Sequence, residues 1–244
     1  MIVSVNDLHK VFPGPVKALD GVSLGVRAGE NLSIVGESGC GKTTLARVIM
    51  GLVAPDQGKV VFNGRRRDFC REVRMVFQDP FSSLDPRYSV RAILKEALRL
   101  EPRMTAGEEF IRMRKVLELV RLPPDILTRY PHEFSGGERQ RIAIARALMT
   151  SPRLLILDEA VSSLDVLVQQ EILLMLEELQ RRMPLTYLFI SHNLRVVKRL
   201  SRQVAVMHQG RIVEYAACDT LFSAPSHPYT QALLKAAFNY EVVL

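Results

Sequence analysis

The chain has 244 residues, of which 48% are hydrophobic and 24% charged, a composition typical of an ordinary globular protein. No run approaches the roughly 20 apolar residues that cross a bilayer, and we expect no export signal from the first residues. The net charge of +7 suits a nucleic-acid partner, but no aromatic ladder accompanies the basic cluster Arg65-Arg66-Arg67, so we expect none. Three scattered cysteines without metal-type spacing indicate a reducing cytoplasm rather than a disulfide framework.

The first thirty residues are predicted to form antiparallel strands. Apolar and polar residues alternate around Val3 and Val5, and again over 22–26. The apolar run 32–35 then predicts a buried strand. Phe12 lies in the first loop, where its ring either stacks on an adenine or covers the edge of the sheet. The spacing leaves both possibilities open.

A glycine-rich stretch follows that buried strand and precedes a helical pattern. It reads Gly36-Glu37-Ser38-Gly39-Cys40-Gly41-Lys42-Thr43-Thr44. Glycines allow several backbone N–H groups to point at one anion, and the helix that starts near Lys42 adds its positive end. The Lys42 ammonium would reach the β- and γ-phosphates of a nucleotide, and the Thr43 hydroxyl would ligate Mg²⁺. Strand, loop and helix therefore predict a phosphate-binding loop.

Two short strands are predicted after this helix. The run 60–62 followed by Asn63-Gly64 predicts a strand and a tight hairpin turn, and 73–77 predicts a strand that ends on Gln78. Ligand contacts in α/β proteins lie at such carboxyl ends of strands. Gln78 therefore reaches Mg²⁺ or the attacking water, or else it lies in solvent, and the sequence leaves both open.

Residues 80–150 change character and predict an inserted helical sub-domain. Helical periodicity covers three segments, 90–100, 108–120 and 139–149. The last helix is introduced by Phe134-Ser135-Gly136-Gly137-Glu138, a second glycine-led helix start that suits an anion. One nucleotide has a single γ-phosphate, so two such sites predict a symmetric dimer in which each chain's second site faces its partner's nucleotide.

The α/β core resumes with the apolar run 154–157, which is typical of a parallel strand buried on both faces. It ends on two acids, for which we expect separate roles. Asp158 would complete the Mg²⁺ shell with Thr43, and Glu159 would polarise a water against the γ-phosphate. The alternative is that the two acids cap the next helix, at 162–165.

The remaining elements complete an α/β fold. A buried strand over 186–190 ends near His192, which would contact a γ-phosphate. We expect a P-loop NTPase (RecA-like) core with a mainly parallel sheet, an N-terminal antiparallel β sub-domain and an inserted α-helical sub-domain. The single domain 1–244 would divide into three parts, which are 1–79, 80–150 and 151–244.

Together these residues resemble the ATP-binding subunits of ABC transporters, over nearly the whole chain. The matching features, in chain order, are the phosphate loop, Gln78, Ser135-Gly136-Gly137, Asp158-Glu159, Asp165 and His192. The resemblance implies a head-to-tail ATP sandwich, in which residues 135–138 of one chain close on the nucleotide of the other. It also implies a role for each residue: Phe12 stacks on adenine, Gln78 is the metal and coupling contact, Glu159 is the general base, His192 is the switch histidine and Asp165 organises the dimer seam.

Three stretches, 77–87, 158–166 and 227–234, are similar to the peptide/nickel importer branch of that family. Two residues depart from the usual pattern: Phe134 stands where leucine is usual, and Glu138 where glutamine is common. We still expect ATPase activity with both. The segment 63–74 is shorter than usual in this branch, and the short tail is similar to that of the second ATPase subunit of nickel or metallophore importers.

The sequence therefore predicts an ATPase that energises an importer for peptides, nickel or a metal chelate, with ATP and Mg²⁺ as cofactors. The expected partners are a second ATP-binding subunit (identical or paralogous), two membrane-spanning permease subunits gripped by the helical insertion and, indirectly, a solute-binding protein. The chain would lie at the cytoplasmic face of the inner membrane. The alternatives are a soluble ABC ATPase acting on ribosomes or nucleic acid, the ATPase of another ABC transport system, and a non-catalytic regulatory subunit.

Overall fold

The computed structural model describes residues 1–14, 16–79 and 83–238. The strands are β1 Val3–Phe12, β2 Val16–Val26, β3 Leu32–Val35, β4 Gln57–Phe62, β5 Val73–Val76, β6 Leu154–Asp158, β7 Thr186–Ile190, β8 Gln203–His208 and β9 Arg211–Ala217. The α-helices are α1 Lys42–Ile49, α2 Phe69–Glu72, α3 Val90–Ala97, α4 Ala106–Leu119, α5 Gly136–Leu148, α6 Val166–Arg182, α7 Leu194–Leu200, α8 Cys218–Ser223 and α9 Pro228–Phe238. None of these helices combines the length and the apolar character needed to span a membrane.

The contacts within the chain define two compact units. The first comprises Met1–Arg65 and Thr186–Leu244, and the second comprises Arg66–Leu185. The division at 79/80 and 150/151, which follows the predicted helical insertion, stays a prediction.

The first unit contains an antiparallel sheet in which β1 lies between β2 and β4. This confirms the strands predicted from the alternation, since Val3, Val5 and Val26 are buried and Val3 pairs with Val26. The predicted hairpin after β4 is wrong. β4 pairs with β1, and Asn63-Gly64 lacks the positive φ angles that a tight hairpin turn requires.

A second sheet of the first unit places the phosphate loop. β3 lies between β7 and β8 and runs parallel to both, while β9 pairs antiparallel with β8. All residues of β3 and β7 are buried, as the uninterrupted apolar runs predict. Because β3 is flanked by strands of the same direction, the loop after it opens at an edge shared with the carboxyl ends of β7 and β8.

The second unit combines the parallel pair β5 and β6 with the helices α2 to α6. β6 is buried throughout, and α5 carries a buried face that includes Arg141, whose guanidinium donates to the Val120 carbonyl oxygen and to Glu171. The parallel pairs, the antiparallel sheet β2-β1-β4 and the helices between β5 and β6 confirm the predicted α/β fold class.

Candidate nucleotide site

The loop after β3 requires its glycines for both conformation and space. The φ angles are 151° at Gly36, 82° at Gly39 and 110° at Gly41, in the region that disfavours L residues. A Cβ at Gly36 would lie 2.1 Å from the carbonyl oxygen of Met207, and one at Gly41 would lie 2.1 Å from that of Ala18. The backbone of the neighbouring strands therefore approaches the loop as closely as glycine permits.

Lys42 lies inside this loop rather than in solvent. The side chain is buried, and its ammonium donates to the carbonyl oxygens of Gly36 at 2.8 Å and Glu37 at 2.7 Å. The Sγ atom of Cys40 is 3.6 Å away. The Cys40 carbonyl oxygen in turn accepts from the Gly210 N–H at 3.0 Å. The loop is thus a ring around a cation, fixed from behind by the β8–β9 turn.

The start of α1 has the electrostatics of an anion site. Gly41 is its N-cap residue, no side chain caps the helix, and its first turn contains no acidic residue. Thr43 and Thr44 lie half-buried in that first turn. The positive end of the helix dipole and the Lys42 ammonium therefore point to the same place without a side-chain anion from the first turn of α1.

His192 lies at the same edge of the first unit. Ile190 of β7 pairs with Ile34 of β3, and the next residue, Ser191, donates its N–H to the Ile34 carbonyl oxygen at 3.2 Å. His192 follows directly and is exposed. The structure therefore brings the predicted histidine and the phosphate loop to the carboxyl ends of adjacent parallel strands.

Phe12 ends β1 in the same unit, with 38% of its surface exposed. The Lys10 ammonium lies 5.6 Å from the centroid of its ring and pairs with Asp56 at 2.8 Å. Much of the ring surface is thus open to solvent, as stacking on a base would require. The adenine contact itself stays a prediction.

The second unit brings Gln78, Asp158 and Glu159 together. β5 and β6 are parallel neighbours with Val76 opposite Leu157, so the residues after them meet at one edge. The Gln78 side-chain amide donates to the Glu159 carboxylate at 3.0 Å. Asp158 is 2% exposed, whereas Glu159 is only partly buried. The structure thus brings the polar amide and the two acids to one edge of the second unit. The metal role of Asp158 and the catalytic role of Glu159 stay predictions.

Glu159 also adopts an unusual backbone conformation, with φ at 48°. Ser162 stabilises it, since its N–H and hydroxyl both donate to the Glu159 carbonyl oxygen, at 3.1 and 2.8 Å. A left-handed non-glycine residue costs roughly 1–3 kcal/mol and is common at functional sites. The turn therefore holds the carboxylate beside Gln78 in a conformation that the chain would otherwise avoid.

The second glycine-led helix start is capped from within. Ser135 accepts from the Glu138 N–H, and the Glu138 carboxylate accepts from the Ser135 N–H at 2.9 Å and hydroxyl at 2.8 Å. The hydrogen bond from the Ser135 N–H, and to a smaller extent that from the Ser135 hydroxyl, lowers the pKa of Glu138. The carboxylate is therefore ionised at neutral pH. A Cβ at Gly137 would lie 2.4 Å from Val168 of α6, so this helix start packs closely on its neighbour.

The alternative role for the paired acids, capping the next helix, is wrong for α6. Asp165 is the N-cap residue of that helix, and its carboxylate accepts from the Val168 N–H at 3.0 Å. The place of Asp165 in a dimer seam stays a prediction. Of the 77–87 stretch, residues 80–82 lie outside the described residues.

Sequence reasoning missed Tyr229 as a neighbour of the phosphate loop. Its hydroxyl accepts from the Glu37 N–H at 3.2 Å. The stretch 227–230 stood out in the sequence only as a likeness to one family branch. The signal available was a tyrosine in a conspicuous tail motif, and nothing local connects it to a residue 192 positions earlier.

A glycine loop around a lysine, at the carboxyl end of a central parallel strand, defines a P-loop nucleotide-binding protein. The family model for ABC transporters matches residues 19–162. The chain is 45% identical to the oligopeptide transport ATP-binding protein AppF of Bacillus subtilis, over 96% of this chain and 78% of that protein. It is 47% identical to the oligopeptide transport ATP-binding protein OppF of Salmonella typhimurium, over 92% and 70% respectively.

Solved structures agree with these relatives. The structure of cbiO1 from Clostridium perfringens, part of the ABC transporter complex cbiONQ, matches with a TM-score of 0.81 at 25% identity, over 98% of this chain and 96% of that one. The chain belongs to the ABC transporter family, and its place there is that of an ATP-binding, ATP-hydrolysing subunit.

Proposed function

We propose that this chain hydrolyses ATP to energise the import of peptides through a membrane-spanning permease. The observation that carries the ATPase part is the Lys42 ammonium held by the glycine loop at a helix start that no side chain caps. The peptide part is supported by relatives that are named as oligopeptide transport ATP-binding proteins. The same relatives favour peptides over nickel or a metal chelate as the solute.

The phosphates of ATP would lie on several backbone N–H groups of the loop 36–44, with Lys42 on the β and γ groups and Phe12 stacked on the adenine. The hydroxyl of Thr43, the carboxylate of Asp158 and the amide oxygen of Gln78 are the oxygen ligands that Mg²⁺ prefers. The metal would neutralise charge on the β- and γ-phosphate oxygens. In the family these motifs serve one nucleotide, and we extend that assignment to this chain.

Glu159 would act as the general base that takes a proton from the attacking water. Its contact with the Gln78 amide, 3.0 Å long, orients the carboxylate before the reaction and supports the assignment. His192 would hold the γ-phosphate and the water in line. Each of these groups contributes orientation or charge at the reacting atoms, which is how phosphoryl transfer is catalysed.

The active form would be a head-to-tail dimer, in which residues 135–138 of each chain contact the nucleotide bound by the other and Asp165 lies at the seam. The transported solute would meet the permease and a solute-binding protein rather than this chain. The chain would lie at the cytoplasmic face of the membrane and act on the permease through its helical insertion. Its dimer partner is either a second copy or a paralogue.

Two substitutions with matched controls test the ATPase assignment. Lys42→Ala should abolish ATP binding, whereas Lys59→Ala, an exposed lysine of β4, should leave it unchanged. Glu159→Gln should abolish turnover, keep ATP binding and accumulate an ATP-bound dimer on light scattering. Glu118→Gln, at an exposed glutamate of α4, should match the wild type in turnover, ATP binding and dimer level. Full affinity in Lys42→Ala, or wild-type turnover in Glu159→Gln, would contradict the assignment.

The transport assignment needs the complete assembly. The chain should copurify with a permease in membranes, and the reconstituted complex should hydrolyse ATP faster when the binding protein carries a peptide. Stimulation by a nickel chelate instead of peptides would contradict the peptide assignment and make the chelate the transported solute. Salt-sensitive binding to ribosomes or nucleic acid, with no permease attached, would replace the importer by a soluble ATPase.

A further inference from the structure

We propose that Tyr229 in α9 is a positioning residue of the nucleotide site, which acts on Lys42 through the peptide group between Gly36 and Glu37. The inference rests on the proposed ATP-binding function and deepens it, because it makes the affinity for ATP depend on the tail of the chain. All the contacts involved lie within the first unit.

The first peptide group of the phosphate loop is held at both of its polar atoms. Its oxygen, on Gly36, accepts from the Lys42 ammonium at 2.8 Å, and its N–H, on Glu37, donates to the Tyr229 hydroxyl at 3.2 Å. A peptide group is planar, so these two hydrogen bonds together fix the orientation of the whole group. The Glu37 carbonyl oxygen also accepts from Lys42, at 2.7 Å. Tyr229 therefore orients the peptide group that binds the Lys42 ammonium.

The peptide group between Gly36 and Glu37 is not fixed by its own two residues. Gly36 has no side chain, so its ψ torsion, about which this peptide group turns, is less restricted than that of any other residue type. Glu37 is exposed, so its neighbours do not enclose it. A hydrogen bond from a separate element is a physical means of fixing such a peptide, and Tyr229 supplies it from a helix that follows β9.

Tyr229 is itself fixed from several sides. Its ring lies against that of His208, with centroids 4.0 Å apart and the planes tilted by 34°, and its backbone N–H donates to His227 Nδ1 at 3.1 Å. The turn before α9 is anchored on the Glu214 carboxylate, which accepts the N–H groups of Ser226 at 2.8 Å and His227 at 3.0 Å. The hydroxyl is thus presented to the loop by a rigid neighbourhood, as a positioning role requires.

The same helix packs on the part of the core that includes the end of β3. The side chains of Tyr229, Leu233 and Leu234 contact a buried cluster that contains Val35, the residue before Gly36. Packing and hydrogen bond can be separated, because the ring and the aliphatic residues provide the packing and only the hydroxyl reaches the Glu37 N–H. A phenylalanine at position 229 would keep the packing and remove the bond.

The test compares Tyr229→Phe with Tyr215→Phe, the same chemical change at an exposed tyrosine of β9. Loss of one hydrogen bond predicts a three- to tenfold rise, in rough terms, of the Kd and KM for ATP in Tyr229→Phe. Its kcat and Tm should stay near those of the wild type, as should all four quantities in Tyr215→Phe. Unchanged ATP affinity in Tyr229→Phe, or a lower Tm without a change in affinity, would overturn the proposal.

A second readout does not depend on ATP. Cys40 lies 3.6 Å from the Lys42 ammonium and is 7% exposed, so its alkylation rate reports on the loop. In a Cys70→Ser background without nucleotide, Tyr229→Phe should speed alkylation of Cys40 but not of the buried Cys218. An unchanged Cys40 rate would also overturn the proposal. Failure of the wild-type chain to bind ATP would instead refute the proposed function, and the alkylation rates would still decide the role of Tyr229.

Discussion

Replacing Gly41 with alanine perturbs the phosphate loop at the residue where α1 begins. The φ angle there is 110°, so any L residue costs on the order of 1–3 kcal/mol in backbone strain. The added Cβ would also lie 2.1 Å from the carbonyl oxygen of Ala18 and 2.7 Å from the methyl group of Met207. The methyl group can move, but the oxygen belongs to the backbone of β2, so the loop must shift. We expect the free energy of unfolding to fall by about 3 kcal/mol or more, and ATP binding to be lost.

Two alanine substitutions with the same kind of strain but no collision provide the scale. Gly39 has a φ of 82° and Gly29 a φ of 75°, and a Cβ at either would meet nothing within 4 Å. Each should lower the free energy of unfolding by about 1–2 kcal/mol, roughly 2–8 °C in Tm for a chain of this size. Urea unfolding and ATP titration on all three variants measure the difference. If Gly41→Ala were no less stable than Gly39→Ala and bound ATP normally, the close approach of β2 to the loop would be refuted.

Two further outcomes are expected. Glu138→Gln should keep the helix cap with Ser135, since glutamine also accepts from the N-cap N–H, but remove an anion from the surface proposed to meet a partner's phosphate. ATP-driven dimers should then tighten by about 1 kcal/mol, or about fivefold, in a background that cannot hydrolyse ATP, and weaker dimers would contradict this. Burial raises the pKa of Glu214, but hydrogen bonds from Ser226 and His227 outweigh it and lower the pKa to about 2, so its stabilisation is complete above its ordinary pKa of 4.5 and disappears as the pH falls towards 2. Proteolysis of the tail should therefore accelerate over that window in the wild type and show no such pH dependence in Glu214→Gln.

The elements that the sequence predicts correctly are those whose cause is local. The buried run of β3 and the alternation of β1 follow from one segment each, and the glycines of the phosphate loop reflect conformations that no other residue adopts at ease. The hairpin after β4 failed for the opposite reason. Asn63-Gly64 has the composition of a tight turn, but β4 pairs with β1, a strand some fifty residues earlier. Nothing in the sequence around the turn indicates that pairing.

The parts of the site that the sequence could not predict depend on contacts between distant segments. The left-handed conformation of Glu159 is an exception, because it is stabilised locally by hydrogen bonds from Ser162, and no residue type in the sequence marks it. The Tyr229 hydroxyl meets the Glu37 N–H because α9 packs on the buried cluster that contains Val35, a contact that no periodicity reveals. Motif order identifies the residues that would contact the nucleotide. It does not identify the residues that hold those residues in place.

The two glycine-led helix starts show how much further a sequence pattern can be taken. α1 follows its glycines and α5 begins with its own, and both starts suit an anion, yet of the two only α1 begins without a side-chain cap or an acid in its first turn. At α5 the serine and the glutamate three positions later form a capping box, a pattern visible in the sequence itself. The hydroxyl and N–H of Ser135 therefore already have an acceptor, and a phosphate must compete with the Glu138 carboxylate for them. Within one chain the phosphate loop is consequently the better prepared anion site. In the proposed dimer, a partner's phosphate would have to displace the Glu138 carboxylate at the second helix start.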